Sequence, residues 1–200
     1  MIKHLGYATH ARKGKPIRAI KSHIKYIELE KEKHRDPVHL FSKDVDQIKR
    51  KDFFVKLNEQ KRQGVVAHKL IFSMSEDEKN RLGVSYKELL RETFEKYEEK
   101  YKTKLDWIAS VHNDEGHPHA HVIIRGRDES GKQVYLRDYH LNYLKKIAEL
   151  AKERIAERNL ERGLEEPRKF NFFQELEVER ELSPSPHKTR DQDLELELSR

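Results

Sequence analysis

The stretch Val111-His112-Asn113-Asp114-Glu115-Gly116-His117-Pro118-His119-Ala120-His121-Val122-Ile123-Ile124 places four of the chain's 12 histidines within ten residues. It joins two runs that alternate. In residues 105–112, Leu105, Trp107, Ala109 and Val111 fall on one face, and Asp106, Ile108, Ser110 and His112 on the other. In residues 119–125, Ala120, Val122 and Ile124 oppose His119, His121, Ile123 and Arg125. Successive side chains of a strand point to opposite faces. Each run therefore reads as a β-strand with an apolar core side and a second side that carries histidine. Residues 113–118, with Asp, Gly and Pro, form a turn of hairpin length. Closing the hairpin brings His112 beside His119 and His121 on the face away from the core.

Three imidazoles converging on one sheet face make a divalent-metal site. Neutral imidazole is a common metal ligand, and three protein ligands leave positions open for substrate or water. A lone His-x-His on a strand is often a surface pair with no role. The third histidine, opposite that pair across an acidic-Gly turn, is what points to a metal. His117 lies in the turn and is expected to support a ligand or to face solvent.

The 200 residues suit one domain with a tail, and 35% hydrophobic against 39% charged residues means a modest core under a heavily solvated surface. With no apolar run near 18 residues and no secretory signal, neither a membrane span nor export is expected, and the cytoplasm is the expected location. The absence of cysteine excludes disulfides, thiolate metal sites and cysteine nucleophiles. The net charge of +6 is uneven: residues 1–69 hold 18 Lys and Arg against 8 Asp and Glu, while residues 163–200 hold 6 against 10. A basic N-terminal third suits a polyanion, although Lys/Glu-rich helices also carry charge only for solvation.

In chain order, residues 1–9 read as a strand and Pro16 opens a helix to about residue 33, with Ile17, Ile20, Ile24 and Ile27 at helical spacing. Tyr26 falls nearly opposite that stripe. Asp44 is the expected N-cap of a helix to about Arg62, ended by Gly64. Residues 65–75, β-branched and apolar, form the strongest strand, with His68 on it in a supporting role. Ser75 caps a short helical turn, and Ser85 a helix to about Lys102. A short strand is expected at residues 133–136 and a helix over 138–161, stopped by Gly163 and Pro167. Residues 163–200, acidic and with Ser183-Pro184-Ser185-Pro186, read as a flexible tail after a domain of residues 1–162. This mixture of hairpin-linked strands and helices predicts an α+β fold, a central antiparallel sheet flanked by helices.

The pattern His112-x-Asp114-x-x-His117-Pro118-His119-x-His121, followed by an aliphatic run, resembles the three-histidine motif of relaxases. These are the nicking enzymes of conjugative and mobilisable plasmids and integrative elements, within the HUH endonuclease superfamily. The similarity is specific here and extends more weakly over roughly residues 1–160. It implies a tyrosine nucleophile, a divalent metal (Mn²⁺ or Mg²⁺) and a covalent 5′-phosphotyrosine intermediate on single-stranded DNA at a transfer origin. It further implies accessory relaxosome proteins and a coupling protein, and no small-molecule substrate. The central antiparallel sheet of such enzymes agrees with the pattern read above.

The segment Ser22-His23-Ile24-Lys25-Tyr26-Ile27 resembles the nucleophile motif of one relaxase branch, which implies that role for Tyr26. Tyr143-Leu144-Lys145-Lys146 offers a rival. A Tyr-x-x-Lys downstream of the histidines is the arrangement of rolling-circle replication initiators and single-strand transposases. Tyr7 is a third option. Asp114 is expected to orient a ligand imidazole, as carboxylates do for metal-bound histidines. Arg12, Lys13, Lys15, Arg18 and Arg125 are expected to follow DNA phosphates. Two readings with other outcomes remain open at this point: a metallohydrolase acting through activated water, and a non-catalytic nucleic-acid binder. Three imidazoles are a softer donor set than Mn²⁺ or Mg²⁺ prefers, so Zn²⁺ or Ni²⁺ could occupy purified protein.

Overall fold

The computed structural model describes residues 1–10, 14–29, 39–60, 63–113 and 116–181, with side chains described up to residue 163 except that of Leu29. Its elements run β1 (Ile2–Thr9), α1 (Pro16–Leu29), α2 (Arg50–Glu59), β2 (Val65–Ser73), α3 (Glu76–Leu82), α4 (Tyr86–Tyr101), β3 (Trp107–His112), β4 (His119–Arg125) and α5 (Asp138–Glu181). The four strands form one sheet in the order β1-β2-β4-β3, antiparallel throughout. The fold is α+β with a central antiparallel sheet, as the sequence pattern predicts. The chain divides into two compact units, Met1–Asn159 and Leu160–Arg200. The first holds the sheet; the second contains the end of α5. No helix among the described residues is long and apolar enough to cross a membrane.

Both faces of the sheet are covered, and here the structure corrects the reading of a bare histidine side. On one face Leu70, Phe72, Trp107, Ala109, Val122 and Ile124 pack with Leu90 and Phe94 of α4 and Leu144 and Ala151 of α5. On the other, Ala67, Ile108 and Ile123 pack with Ile20, Ile24 and Ile27 of α1 and Phe53 and Leu57 of α2. Ile108 and Ile123, each 0% exposed, belong to the same face as the histidines. Burying an isoleucine side chain contributes about 1.5–3 kcal/mol, so the stripe of α1 is ample reason for that helix to lie there.

Three local expectations fail for identifiable reasons. Asp44 does not cap α2, which begins after Lys49. The preceding segment is held instead by tertiary contacts: Phe41 exchanges two backbone hydrogen bonds with Ala109 at 2.9 Å, and Asp46 accepts from Arg91 at 2.7 Å. Residues 133–136 do not form a strand. Only the bridge Arg127↔Gln133 is made, and the Val134 carbonyl accepts from His68 Nε2 at 3.1 Å. Finally, α5 continues past Gly163 and Pro167 to Glu181. Gly163 is not among the positive-φ glycines, so it stays helical; glycine within a helix costs only about 1 kcal/mol.

Candidate metal centre and the helix that faces it

The hairpin closes in the register the sequence requires. His112 pairs with His119 and Ser110 with His121, so the three imidazoles meet at the turn end of the β3/β4 pair. Their ring centroids lie 5.2, 4.9 and 5.0 Å apart. One ligand-capable nitrogen from each falls within 4.8 Å of the others. His112 is fully buried and His121 is 9% exposed.

Backbone carbonyls fix two of the tautomers. A carbonyl oxygen can only accept, so His112 Nε2 donates to the Ile27 oxygen at 2.9 Å and Nδ1 keeps the lone pair. In the same way His119 Nδ1 donates to the His117 oxygen at 3.0 Å, leaving Nε2 as the coordinating atom. Orientation of a ligand imidazole by a hydrogen bond from its other nitrogen is the usual second layer of a metal site. The donor set fits a divalent ion: three neutral imidazoles, preoriented, with positions left for exogenous oxygen. His117 is exposed, and its contribution is this carbonyl. Asp114, expected in the orienting role, lies outside the described residues.

Helix α1 is tied directly to this centre. The Ile27 carbonyl accepts from His112 and also from Ser110 Oγ at 3.1 Å. Tyr26, 57% exposed, stacks on His23 with 6.4 Å between centroids and 15° between planes. His23 in turn meets His121 edge-on at 6.0 Å. A row of rings, Tyr26–His23–His121, thus leads from the solvent side of α1 to the candidate metal ligands. Burial, and secondarily the charge of Lys69, hold the His23 pKa below its ordinary value and favour the neutral ring. His23 is a residue the sequence reading passed over, although its spacing three before Tyr26 puts the two on one helix face.

The rival tyrosines lie across the sheet. Tyr143 packs at the edge of the α4/α5 core, 5.6 Å from Tyr101. Tyr7 sits opposite His68 in register, with its ring 5.9 Å from that histidine. His68 shares its face with Leu70 and Phe72, away from the metal ligands, and burial pushes its pKa down to about 4. Its role is structural.

The expected phosphate contacts separate. Lys15 and Arg18 are exposed at the start of α1, whereas Arg12 and Lys13 lie outside the described residues. Arg125 is at the far end of β4 from His119. Its Nε donates to Asp106 Oδ2 at 2.8 Å and its side chain is 13% exposed. Asp106 also pairs with Lys56 at 3.0 Å.

A search of curated protein sequences finds no match. Among solved structures, the chain resembles the conjugative relaxase TrwC in its copper-bound complex with oriT DNA. The identity is 11%, the TM-score 0.46, and the match covers 81% of this chain and 70% of that one. The family model of the relaxase MobA/VirD2-like nuclease domain matches residues 25–160. That span includes Tyr26 and the whole histidine hairpin, and on it the chain belongs to the relaxase family of MobA/VirD2-like nuclease domains.

Proposed function

We propose that this relaxase nicks one DNA strand at a transfer origin by metal-dependent tyrosine transesterification, with Tyr26 as nucleophile, to begin conjugative transfer. The observation that carries the reading is the docking of α1 on the histidine face, where Tyr26 is exposed and joined through His23 to His121. The Tyr26 oxygen attacks the scissile phosphorus, the bond to the 3′ oxygen breaks, and that oxygen leaves as a hydroxyl after taking up a proton. The 5′ phosphate stays on Tyr26 as a phosphodiester, so the strand can be rejoined. A divalent ion on His112, His119 and His121 would supply Lewis-acid stabilisation of charge on the phosphate. Mn²⁺ or Mg²⁺ is the proposed ion. Lys15 and Arg18 would follow the backbone of the bound strand, as would Arg12 and Lys13. Asp114 is a proposed further support of the ligands. The site of action would be the cytoplasm, with accessory relaxosome proteins and a coupling protein as partners.

The test is a denaturing gel of the protein incubated with Mn²⁺ and labelled single-stranded oligonucleotides covering its own element. The expected result is a protein-sized shift that survives SDS. Tyr26→Phe should lose that shift and keep single-strand binding. Cleavage without a shift would instead establish a metal-activated water, and a shift that persists in Tyr26→Phe would remove the nucleophile assignment.

A further inference from the structure

Lys69 stands in the middle of β2, paired in register with Ile123 on β4 and with Gly6 on β1. That register puts it on the histidine face, diagonal to His121, which pairs with the next residue of the same parity, Ile71. Diagonal neighbours on one sheet face are about 7–8 Å apart, within reach of a lysine side chain. Lys69 is half-buried and makes no hydrogen bond or ion pair among the described residues.

The other partly or fully buried cations behave differently. Lys152 holds Glu78 at 2.5 Å, Lys43 holds Glu98 at 2.6 Å, Arg91 holds Asp46 at 2.7 Å and Arg125 holds Asp106 at 2.8 Å. Lys79 and Lys21, without a carboxylate, donate to Asn113 and Asn58 at 2.9 and 2.8 Å. Taking an ammonium out of water without a partner is unfavourable, and folded chains tolerate it where a ligand supplies the counter-charge. Among the described residues no carboxylate pairs with Lys69 to offer that charge. The neighbouring metal-site side chains are imidazoles, and a divalent ion on them would add to the positive potential. His23 already feels the charge of Lys69 as a repulsion. A half-buried ammonium beside three imidazoles that would themselves hold a cation, with no carboxylate pairing it among the described residues, is placed to receive an anion.

We propose that Lys69 is a phosphate-binding residue of the nicking site, its ammonium donating to a non-bridging oxygen of a DNA phosphate at or next to the scissile one. This rests on the proposed action on single-stranded DNA and names a residue outside the histidine hairpin that holds the substrate in place. Opposite Lys69, Gly6 adopts φ +98° and has open space where a side chain would stand, so β1 leaves the approach to Lys69 clear on that side.

The experiment measures single-strand affinity against salt. Each lysine–phosphate pairing that a single-strand complex forgoes lowers the slope of log K against log salt by about 0.7. The probe is a labelled oligonucleotide from the chain's own element, in Mn²⁺. Lys69→Met, which keeps the apolar arm, should lower the slope by about 0.7 and weaken binding roughly five- to tenfold at 0.1 M salt. Lys69→Arg should restore both. The melting temperature of Lys69→Met should equal or exceed that of the parent, because a half-buried charge with no partner among the described residues is removed. A methylphosphonate scan should find one neutralised phosphate that weakens the parent but not Lys69→Met. Unchanged slope and affinity in Lys69→Met overturn the proposal while leaving the nickase reading intact. A parent protein that binds no single strand overturns both. Loss of binding with a melting temperature several degrees lower, unrescued by arginine, would make Lys69 a structural residue and overturn it as well.

Discussion

His112 Nε2 lies 2.9 Å from the carbonyl oxygen of Ile27, the residue that follows Tyr26 in α1. One imidazole therefore has two tasks. Its Nδ1 edge faces the candidate metal site, and its Nε2 edge fastens the helix that carries the proposed nucleophile. His119 donates to the His117 carbonyl, two residues away in the same hairpin. The two ligands should respond differently to truncation. His112→Ala should abolish metal binding and also cost about 2–4 kcal/mol, from removal of the buried ring and its hydrogen bond. His119→Ala, at a partly exposed position, should abolish metal binding with a stability change below about 1 kcal/mol. Thermal unfolding in chelator, beside calorimetric titration with Mn²⁺, separates the effects. Equal destabilisation by both would show that the Ile27 hydrogen bond contributes nothing.

The sheet itself discriminates among the tyrosines. Tyr143 is packed at the α4/α5 core, and the sheet stands between it and the three histidines. Tyr143→Phe should leave nicking within about twofold of the parent, because removing a partly exposed hydroxyl outside the site perturbs little. Covalent adduct formation, timed on a denaturing gel, is the measurement. A drop as deep as that of Tyr26→Phe would place the chemistry on the wrong face.

Arg125 shares a face with the histidines in the sequence pattern, yet its guanidinium is held by Asp106, which is 8% exposed and also receives Lys56. Removing Arg125 leaves the buried Asp106 with the half-exposed Lys56 as its remaining cation and one oxygen without its donor, at a cost of about 1–3 kcal/mol. Arg125→Ala should therefore lower stability by that amount and leave the salt dependence of single-strand binding unchanged. Should the slope fall by the amount that one phosphate pairing supplies, Arg125 reaches the DNA after all.

What the sequence disclosed follows from the range of the interactions involved. The metal hairpin is local: alternation over residues 105–112 and 119–125 with a turn between them dictates both the register and the triad. The exposure of Tyr26 was legible because helical spacing sets it off the Ile17/Ile20/Ile24/Ile27 stripe, whereas the nucleophile role proposed for it comes from the resemblance of its segment to a relaxase motif. Lys69 was not, because its face depends on how β2 registers with β4 and β1, across more than 50 residues of chain. The same distance hid the second core. Ile108 and Ile123 looked like stray apolar residues on a polar face until α1 and α2 closed over them. The capping role of Asp44 failed for a related reason, as the paired backbone hydrogen bonds of Phe41 with Ala109 on β3 set the path of that segment and no local rule anticipates them.

His68 makes the fold sensitive to acid through a group outside the proposed chemistry. Burial, opposed by its hydrogen bond to the Val134 oxygen and reinforced by His4 and His140, pushes its pKa to about 4, against 6.5 for a free imidazole. The unfolded chain therefore binds a proton here between pH 6.5 and 4 that the folded chain refuses. Stability is full above 6.5 and is lost as the pH falls toward 4. A shift of that size corresponds to about 3 kcal/mol. His4 and His140, whose pKa values burial also lowers, add in the same direction. Denaturant midpoints taken from pH 7.5 to 4 should fall steeply through this window. His68→Gln, which cannot titrate and can still donate to Val134, should be less stable at pH 7.5 but should lose much less on acidification. Parallel curves for the two proteins would mean that the acid sensitivity arises elsewhere.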